Sequence, residues 1–380
     1  MAVEQYRIFA YDINTNTLLC ELPGNGLTFD TRLNDPGSCS FSLNLKSPGT
    51  AKRVAPIMGY EGNPFKVYID RGGVIVWAGW VLTGNYQKSS GILPIGGKEL
   101  LAWGDMRVAV KSYDQTLYPA GVDPAELIAT VINDAQSVAQ SGPGSSIGLN
   151  VIAPSSGLPL VSPGYPLSQH STLNQIIQDM ASVTVPGSGG IDVSVTSYWD
   201  ANGVPVDTLR VWSPRVGRPA GTTGLMFDLV SALDYSWPTD AAQSATTIIA
   251  TGGGTGSAIP TAIVSAPGVP VGGLGQAPRM DKVVSFSTVQ SQQQVSLMAN
   301  GTAQQYGRPL ATPTVTVKTS DPGQPLGSWI VGDDARLYTA GDERFPNGLD
   351  EYWRIVQQSV KVPDEGLATV VLTFNRPPIY

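Results

Sequence analysis

The chain is short of charge. Only 14% of its 380 residues are Asp, Glu, Lys or Arg, against about 25% in a typical soluble domain. Charge is depleted from the cores of subunit interfaces, so the shortage points to an exterior partly covered by other subunits. What charge there is sums to −7 with no basic cluster, which excludes tight binding to phosphate backbones. Two cysteines, Cys20 and Cys39, make no disulfide framework. Cys39 shares a face with Phe41, Leu43 and Leu45 and reads as a small buried hydrophobe. The single histidine, His170, cannot build a zinc site of the usual kinds. The longest apolar run, Val74 to Leu82, is about half of a membrane span. Residues Met1 to Arg7 carry neither the basic nor the apolar part of a secretory leader. A soluble product made in the cytoplasm, without stable membrane insertion, is expected.

Turn residues are abundant, with 43 glycines and 30 prolines beside 42% apolar residues. Together these describe a β-rich fold with many turns, and the length exceeds one ordinary core, so two or three domains are expected. From Gly59 to Trp103 strands follow one another closely. Phe65, Val67 and Ile69 alternate with Lys66, Tyr68 and Asp70, the period of a half-buried strand. Asp70-Arg71-Gly72-Gly73 supplies a hairpin turn. The return strand, Val74 to Leu82, is apolar on both faces, and Gly79 between Trp77 and Trp80 predicts a bulge or sharp bend. With the alternating Cys39 to Leu45 and the strands before it, residues 1–108 read as a first antiparallel β-barrel.

Near residue 108 the period changes. Asp123-Pro124-Ala125-Glu126 predicts a helix start with Asp as N-cap, Pro at N1 and Glu at N3 reaching back to the cap. Leu127, Ile128, Val131, Ile132, Ala135 and Val138 follow at helical spacing. Residues 141–166 read as an extended surface segment. A second helix from about Ser171 carries Leu173, Ile176, Ile177 and Met180, and Pro186 to Gly190 breaks it. A hairpin then runs through Ile191 to Trp199 and Leu209 to Trp212. Residues 109–224 are thus an inserted α+β domain. Strands resume at Met226 to Leu229 and Tyr235 to Trp237, then Thr246 to Thr251. Residues 257–280 read as Pro- and Gly-rich. A helix is expected between Ser287 and Tyr306, and further strands at Thr312 to Thr319, Trp329 to Val331, Ala335 to Tyr338, Tyr352 to Val362 and Leu367 to Phe374. Residues 225–380 read as a second barrel with one packed helix.

Catalytic chemistry finds little support. Gly252-Gly253-Gly254-Thr255-Gly256-Ser257 follows a strand but misses the G-x-G-x-x-G spacing and opens no helix. In Gly96-Gly97-Lys98-Glu99 the last residue stands where a phosphate loop needs a hydroxyl. No G-x-S-x-G elbow precedes a helix, and His170 reads as a surface or capping residue. Asp333-Asp334 and Asp342-Glu343 are adjacent pairs, whereas glycosidic hydrolysis needs carboxylates facing across a cleft. Neither pair has calcium-loop spacing. No catalytic, cofactor-binding or metal-ligating residue is assigned, no cofactor is expected, and the chain is not expected to be an enzyme.

The order and texture of these pieces resemble the tail hub proteins of tailed bacteriophages: the minor tail proteins at siphophage tail tips and the related baseplate hubs of contractile tails. The resemblance runs through Phe65 to Gly73, Val76 to Val81, Gly96 to Trp103, the helix-bearing insert, the Gln- and Ala-rich helix at 289–306, and the closing Gly332-Asp333-Asp334-Ala335-Arg336-Leu337 and Trp353-Arg354-Ile355-Val356. It implies a mainly β fold in which two tail-tube-like antiparallel barrels share one chain. It further implies a homotrimer at the tail tip that matches a six-fold tube to a three-fold tip, in the virion after assembly in the host cytoplasm. Expected partners are a distal tail or tail-tube protein above, tip, fibre or receptor-binding proteins below, the tape measure protein, and genomic DNA in transit through an acidic lumen. The chain ends soon after the second barrel, so a fibre, peptidase or lysin domain found on longer relatives is not expected. Two rivals remain. A carbohydrate-binding adhesin or receptor-binding tail protein would use Tyr198, Trp199 or Trp212; a tail-associated glycan hydrolase would need opposed carboxylates.

Overall fold

The structure, a computed structural model, describes residues 5–58, 64–183, 190–242, 244–254, 256–266, 271–272, 276–287, 289–306 and 310–376. All of the expected break at Pro186 to Gly190 except Gly190, and the first residues of the Gly59–Trp103 stretch, lie outside them. The fold is mainly β, as expected.

The first module comprises β1 (Tyr6–Tyr11), β2 (Leu18–Leu22), β3 (Asn25–Arg32), β4 (Ser38–Asn44), two single-turn helices α1 (Thr50–Arg53) and α2 (Ala55–Met58), β5 (Lys66–Arg71), β6 (Val74–Gly84) and β7 (Ile92–Glu99). Its strands pair antiparallel in the order β3-β4-β7-β6-β5-β1-β2. The two ends of that path, β2 and β3, are joined by Pro23-Gly24 alone, so the sheet must curl until they meet. A Cβ on Gly24 would lie 2.6 Å from Ile8 and 2.9 Å from Phe41, side chains from opposite parts of the path. Inward residues Ile8, Phe29, Phe41, Val67, Trp77 and Ile95 form one core. The β5–β6 turn has Gly72 at φ 63° and Gly73 at φ 90°, the positive values a tight hairpin needs.

Gly79 differs from expectation. It stays in register, opposite Val67 and Glu99, and the register shifts instead leave Val76 and Leu82 unmatched. Its reason is close approach, since a Cβ there would stand 2.2 Å from the Lys98 carbonyl oxygen and 2.3 Å from the Trp77 ring.

The middle region holds α3 (Pro124–Gln136), α4 (Val138–Ser141), β8 (Leu149–Ile152), α5 (Leu173–Ala181), β9 (Asp192–Trp199) and β10 (Pro205–Trp212). Asp123 caps α3 by accepting the Ala125 N–H at 2.8 Å, while Glu126 stays exposed. Thr172 caps α5 through the Gln175 N–H. The 141–166 segment is not a surface strap. β8 pairs parallel with β10, the Gln136 side chain brackets both backbone groups of Leu149, and Ile147, Leu158, Val161 and Tyr165 are buried. Parallel pairing within a Pro-, Gly- and Ser-rich stretch leaves no alternation to read.

The remaining elements are β11 (Met226–Asp228), β12 (Asp234–Ser236), β13 (Thr239–Asp240), β14 (Thr247–Gly252), β15 (Thr261–Ser265), β16 (Asp281–Phe286), α6 (Gln292–Tyr306), β17 (Leu310–Ala311), β18 (Thr314–Lys318), β19 (Asp334–Thr339), β20 (Leu349–Val362) and β21 (Thr369–Asn375). Six of them follow the order β12-β18-β21-β20-β19-β11. With β2 set aside and the remaining strands numbered by position within each module, this is the same order as β3-β4-β7-β6-β5-β1. The short link from β11 to β12 again joins the two ends of the path. One pair departs from the antiparallel expectation, because β11 runs parallel to β19.

The modules are fused by β20. Its first half pairs with β19 and its second half with β3, while β21 lines the other edge. Trp329 to Val331 form a turn, not a strand; the Trp329 ring is buried edge-on to Phe227 at 5.7 Å. β14, β15 and β16 make a separate sheet whose inner residues Ile248, Ala250 and Ala262 share a core with Val295, Met298 and Ala299 of α6 and with the middle region. The expected helix therefore exists but lies against this sheet, not on the second barrel. Among the described residues no helix is long and apolar enough to cross a membrane.

Candidate functional site

The second face of β5 carries the first surprise. Lys66, Tyr68 and Asp70, read from the sequence as the polar side of a half-buried strand, are 2%, 0% and 5% exposed. The hairpin β9–β10 covers them. Lys66 Nζ and Tyr68 Oη both donate to Asp207, at 2.7 and 2.8 Å, and Trp199 Nε1 donates to Asp70 at 2.7 Å.

A second charged junction ties β9 to the second module. Asp192 accepts from Arg354, from the Val216 N–H at 2.8 Å and from Asn34 Nδ2 at 3.0 Å. Arg354 also donates to the carbonyls of Val216 and Gly332. Arg215 forks onto both oxygens of Asp334 at 3.0 and 2.6 Å, and Arg218 pairs with Asp333. The adjacent acids Asp333 and Asp334 thus serve two separate arginines.

Between these junctions lies a cleft of about 520 Å³, walled by β6 from Val74 to Ala78, β9 from Val193 to Ser197, and the turn from Leu326 to Val331. Trp77, Trp212 and Trp329 line it, and Glu99 is its one carboxylate among the described residues. Glu99 accepts the Gly37 N–H at 2.7 Å. Burial pushes its carboxyl up to about 8, against the downward pull of hydrogen bonds from Gly37 and Thr31. A lone carboxylate in an apolar cleft lacks the opposed partner that glycosidic hydrolysis needs.

His170 is exposed, in a left-handed conformation two residues before the cap of α5. Asp342 accepts from Tyr235 and the backbone of its own turn. Gly252 and Gly253 approach the Val289 and Ser287 carbonyls, and only a single 3-10 turn, Gly256–Ala258, follows. Among the described residues no cluster of three or more His, Cys, Asp or Glu could hold a metal ion. Cys39 is buried as expected, and burial pushes its thiol up to about 12. The sequence reading missed Lys66, Glu99, Asp192, Asp207 and Arg354. Their one signal was rarity: in a chain so poor in charge, an ionic residue inside a strand invites a search for a buried partner.

Tyr198, Trp199 and Trp212 do not form a common platform. Tyr198 is exposed, Trp199 packs on Phe9, Tyr11 and Tyr68, and Trp212 lies under Arg210 with its N–H on Ser194.

No protein-family model matches the sequence, and no curated protein does. Solved structures do. The 43 kDa tail protein of prophage MuSo2 from Shewanella oneidensis superposes with a TM-score of 0.58 at 12% identity, covering 98% of each chain. Prophage tail protein gp18 from Listeria monocytogenes gives 0.54 at 13% identity, over 97% of this chain and 94% of that one. A tail protein from Neisseria meningitidis gives 0.51 at 14%, over 99% and 98%. Along almost its whole length the chain therefore has the fold of these prophage tail proteins.

Proposed function

We propose that this chain is a structural component of a phage tail, built as a hub at the tail tip. Three copies would place six barrels around a channel, so that a three-fold device meets a six-fold tube above, with tip or fibre proteins below. The proposed divisions are 1–108, 109–224 and 225–380. One observation carries the reading: the same six-strand order occurs twice, and the two copies share hydrogen bonds through β20 and β3. Such an arrangement would let a single chain present two similar barrels at fixed spacing, and three-fold assembly would turn them into a pseudo-six-fold ring. The scarcity of charge fits a covered exterior, and a net charge of −7 fits a channel along which DNA slides without sticking.

The adhesin reading is weaker because two of its three aromatics are engaged within the fold, and the hydrolase reading because the cleft carries one carboxylate. Mass photometry and negative-stain microscopy, on the purified chain alone and mixed with its neighbouring tail proteins, test the proposal. Three-fold rings with an open centre are expected in at least the mixture. Monomers under both conditions would overturn it.

A further inference from the structure

Lys66 and Asp207 form a pair that the assembly reading does not use. Lys66 opens β5 and Asp207 lies in β10, so the pair bridges the first module and the middle region. Their Nζ and Oδ2 atoms are 2.7 Å apart, and the side chains are 2% and 1% exposed. Asp207 is gripped from three directions: Lys66 Nζ and Tyr68 Oη, the latter at 2.8 Å, donate to Oδ2, while Ser197 Oγ donates to Oδ1 at 2.5 Å. Tyr11, Tyr68 and Trp199 pack edge-on or tilted against one another, with ring centres 5.3 to 6.3 Å apart.

Each feature favours condensation of the two groups. An amine held against a carboxyl reacts as though at an effective concentration of about 10⁵ M or more. Ser197 stands where oxyanion charge would develop on Oδ1, and a donor fixed there acts without reorganisation. The Tyr68 hydroxyl contacts the oxygen that would leave. Burial and the neighbouring carboxylate hold that hydroxyl protonated far above its ordinary range, so it can hand on a proton without resting as a phenolate.

We propose that Lys66 Nζ and Asp207 Cγ join in an intramolecular isopeptide bond. Nζ passes one proton to Oδ2 and attacks Cγ with the freed lone pair, while the carbonyl π electrons move onto Oδ1 beside Ser197. A second proton travels from Nζ to Oδ2 through Tyr68, whose hydroxyl gives one and receives one. The Cγ–Oδ2 bond breaks, its electron pair leaving with Oδ2 as water, and Oδ1 becomes the amide carbonyl. Of the ammonium protons, one stays on the amide nitrogen and two depart in the water. No oxidant, metal or co-reactant enters. The bond would replace a buried ion pair by a neutral amide and clasp the middle region to the first module covalently, whether or not the hub reading holds.

Mass decides the matter without any variant. The full-length protein, folded, incubated and then denatured, is expected about 18 Da below its sequence mass, the loss of one water. Trypsin cannot cut after an acylated Lys66, so the digest should contain residues 54–71 joined to residues 112–210. Tyr68→Phe keeps the ring but removes the relay, and the deficit should accumulate more slowly with unchanged tryptophan fluorescence. Folded protein that retains its full sequence mass and yields separate peptides 54–66 and 112–210 overturns the proposal. So does a deficit that persists in Lys66→Met.

Discussion

Asp192 offers the sharpest test of how the three regions are held together. Its carboxylate and the Arg354 guanidinium are each 7% exposed, and the same carboxylate also holds Val216 and Asn34. Asp192→Ala leaves Arg354 buried with carbonyl partners but no counter-charge, and losing one member of a buried pair costs about 3–5 kcal/mol. Asp192→Asn keeps an acceptor for the Val216 N–H and should cost about 1–3 kcal/mol. The double change Asp192→Leu with Arg354→Met removes both charges together. It should cost less than the sum of the separate losses, with a coupling of about 2 kcal/mol. Urea unfolding followed by tryptophan fluorescence measures all of these. The reasoning fails if Asp192→Ala costs no more than an exposed substitution, about 0.5 kcal/mol, or if the two changes add independently.

Two further outcomes follow from the same structure. Glu99 holds its proton up to about 8 when folded but near 4.3 when unfolded, so its contribution is complete at low pH and lost as pH rises through the folded value. The wild type should be less stable at about pH 9 than at about pH 6 by about 1–2 kcal/mol, after allowance for partial solvent access, and Glu99→Gln should remove that dependence; an equal dependence in the variant refutes the assignment. Gly79→Ala forces a Cβ against the Lys98 carbonyl, whereas at Gly84 the nearest atom would be 3.5 Å away. The first change should cost about 1–3 kcal/mol and the second much less, read as urea midpoints; equal costs would refute the close-approach argument.

The sequence revealed those elements whose pattern is local. The Gly72-Gly73 turn, the alternation from Cys39 to Leu43, the Asp123 cap and the apolar face of α5 each follow from neighbours a few residues apart. What escaped it depends on distant partners. β8 and β16 pair parallel with strands tens of residues away and sit among Pro, Gly and polar residues, so neither period nor composition marked them. Lys66 and Asp70 kept the alternation of a half-solvated strand although another sheet covers that face, because period 2 reports two faces and not what lies on the second. The ionic site around Asp192 was likewise invisible: Asn34, Asp192, Val216 and Arg354 meet only once the chain has folded.

β20 carries one more consequence. A single strand that pairs with both modules couples them lengthwise, so tension applied along its axis would load its ladders in shear rather than peel them one bond at a time. Such a joint puts no linker between the β19 ladder and the β3 ladder, so a displacement of one module would pass to the other along an unbroken strand.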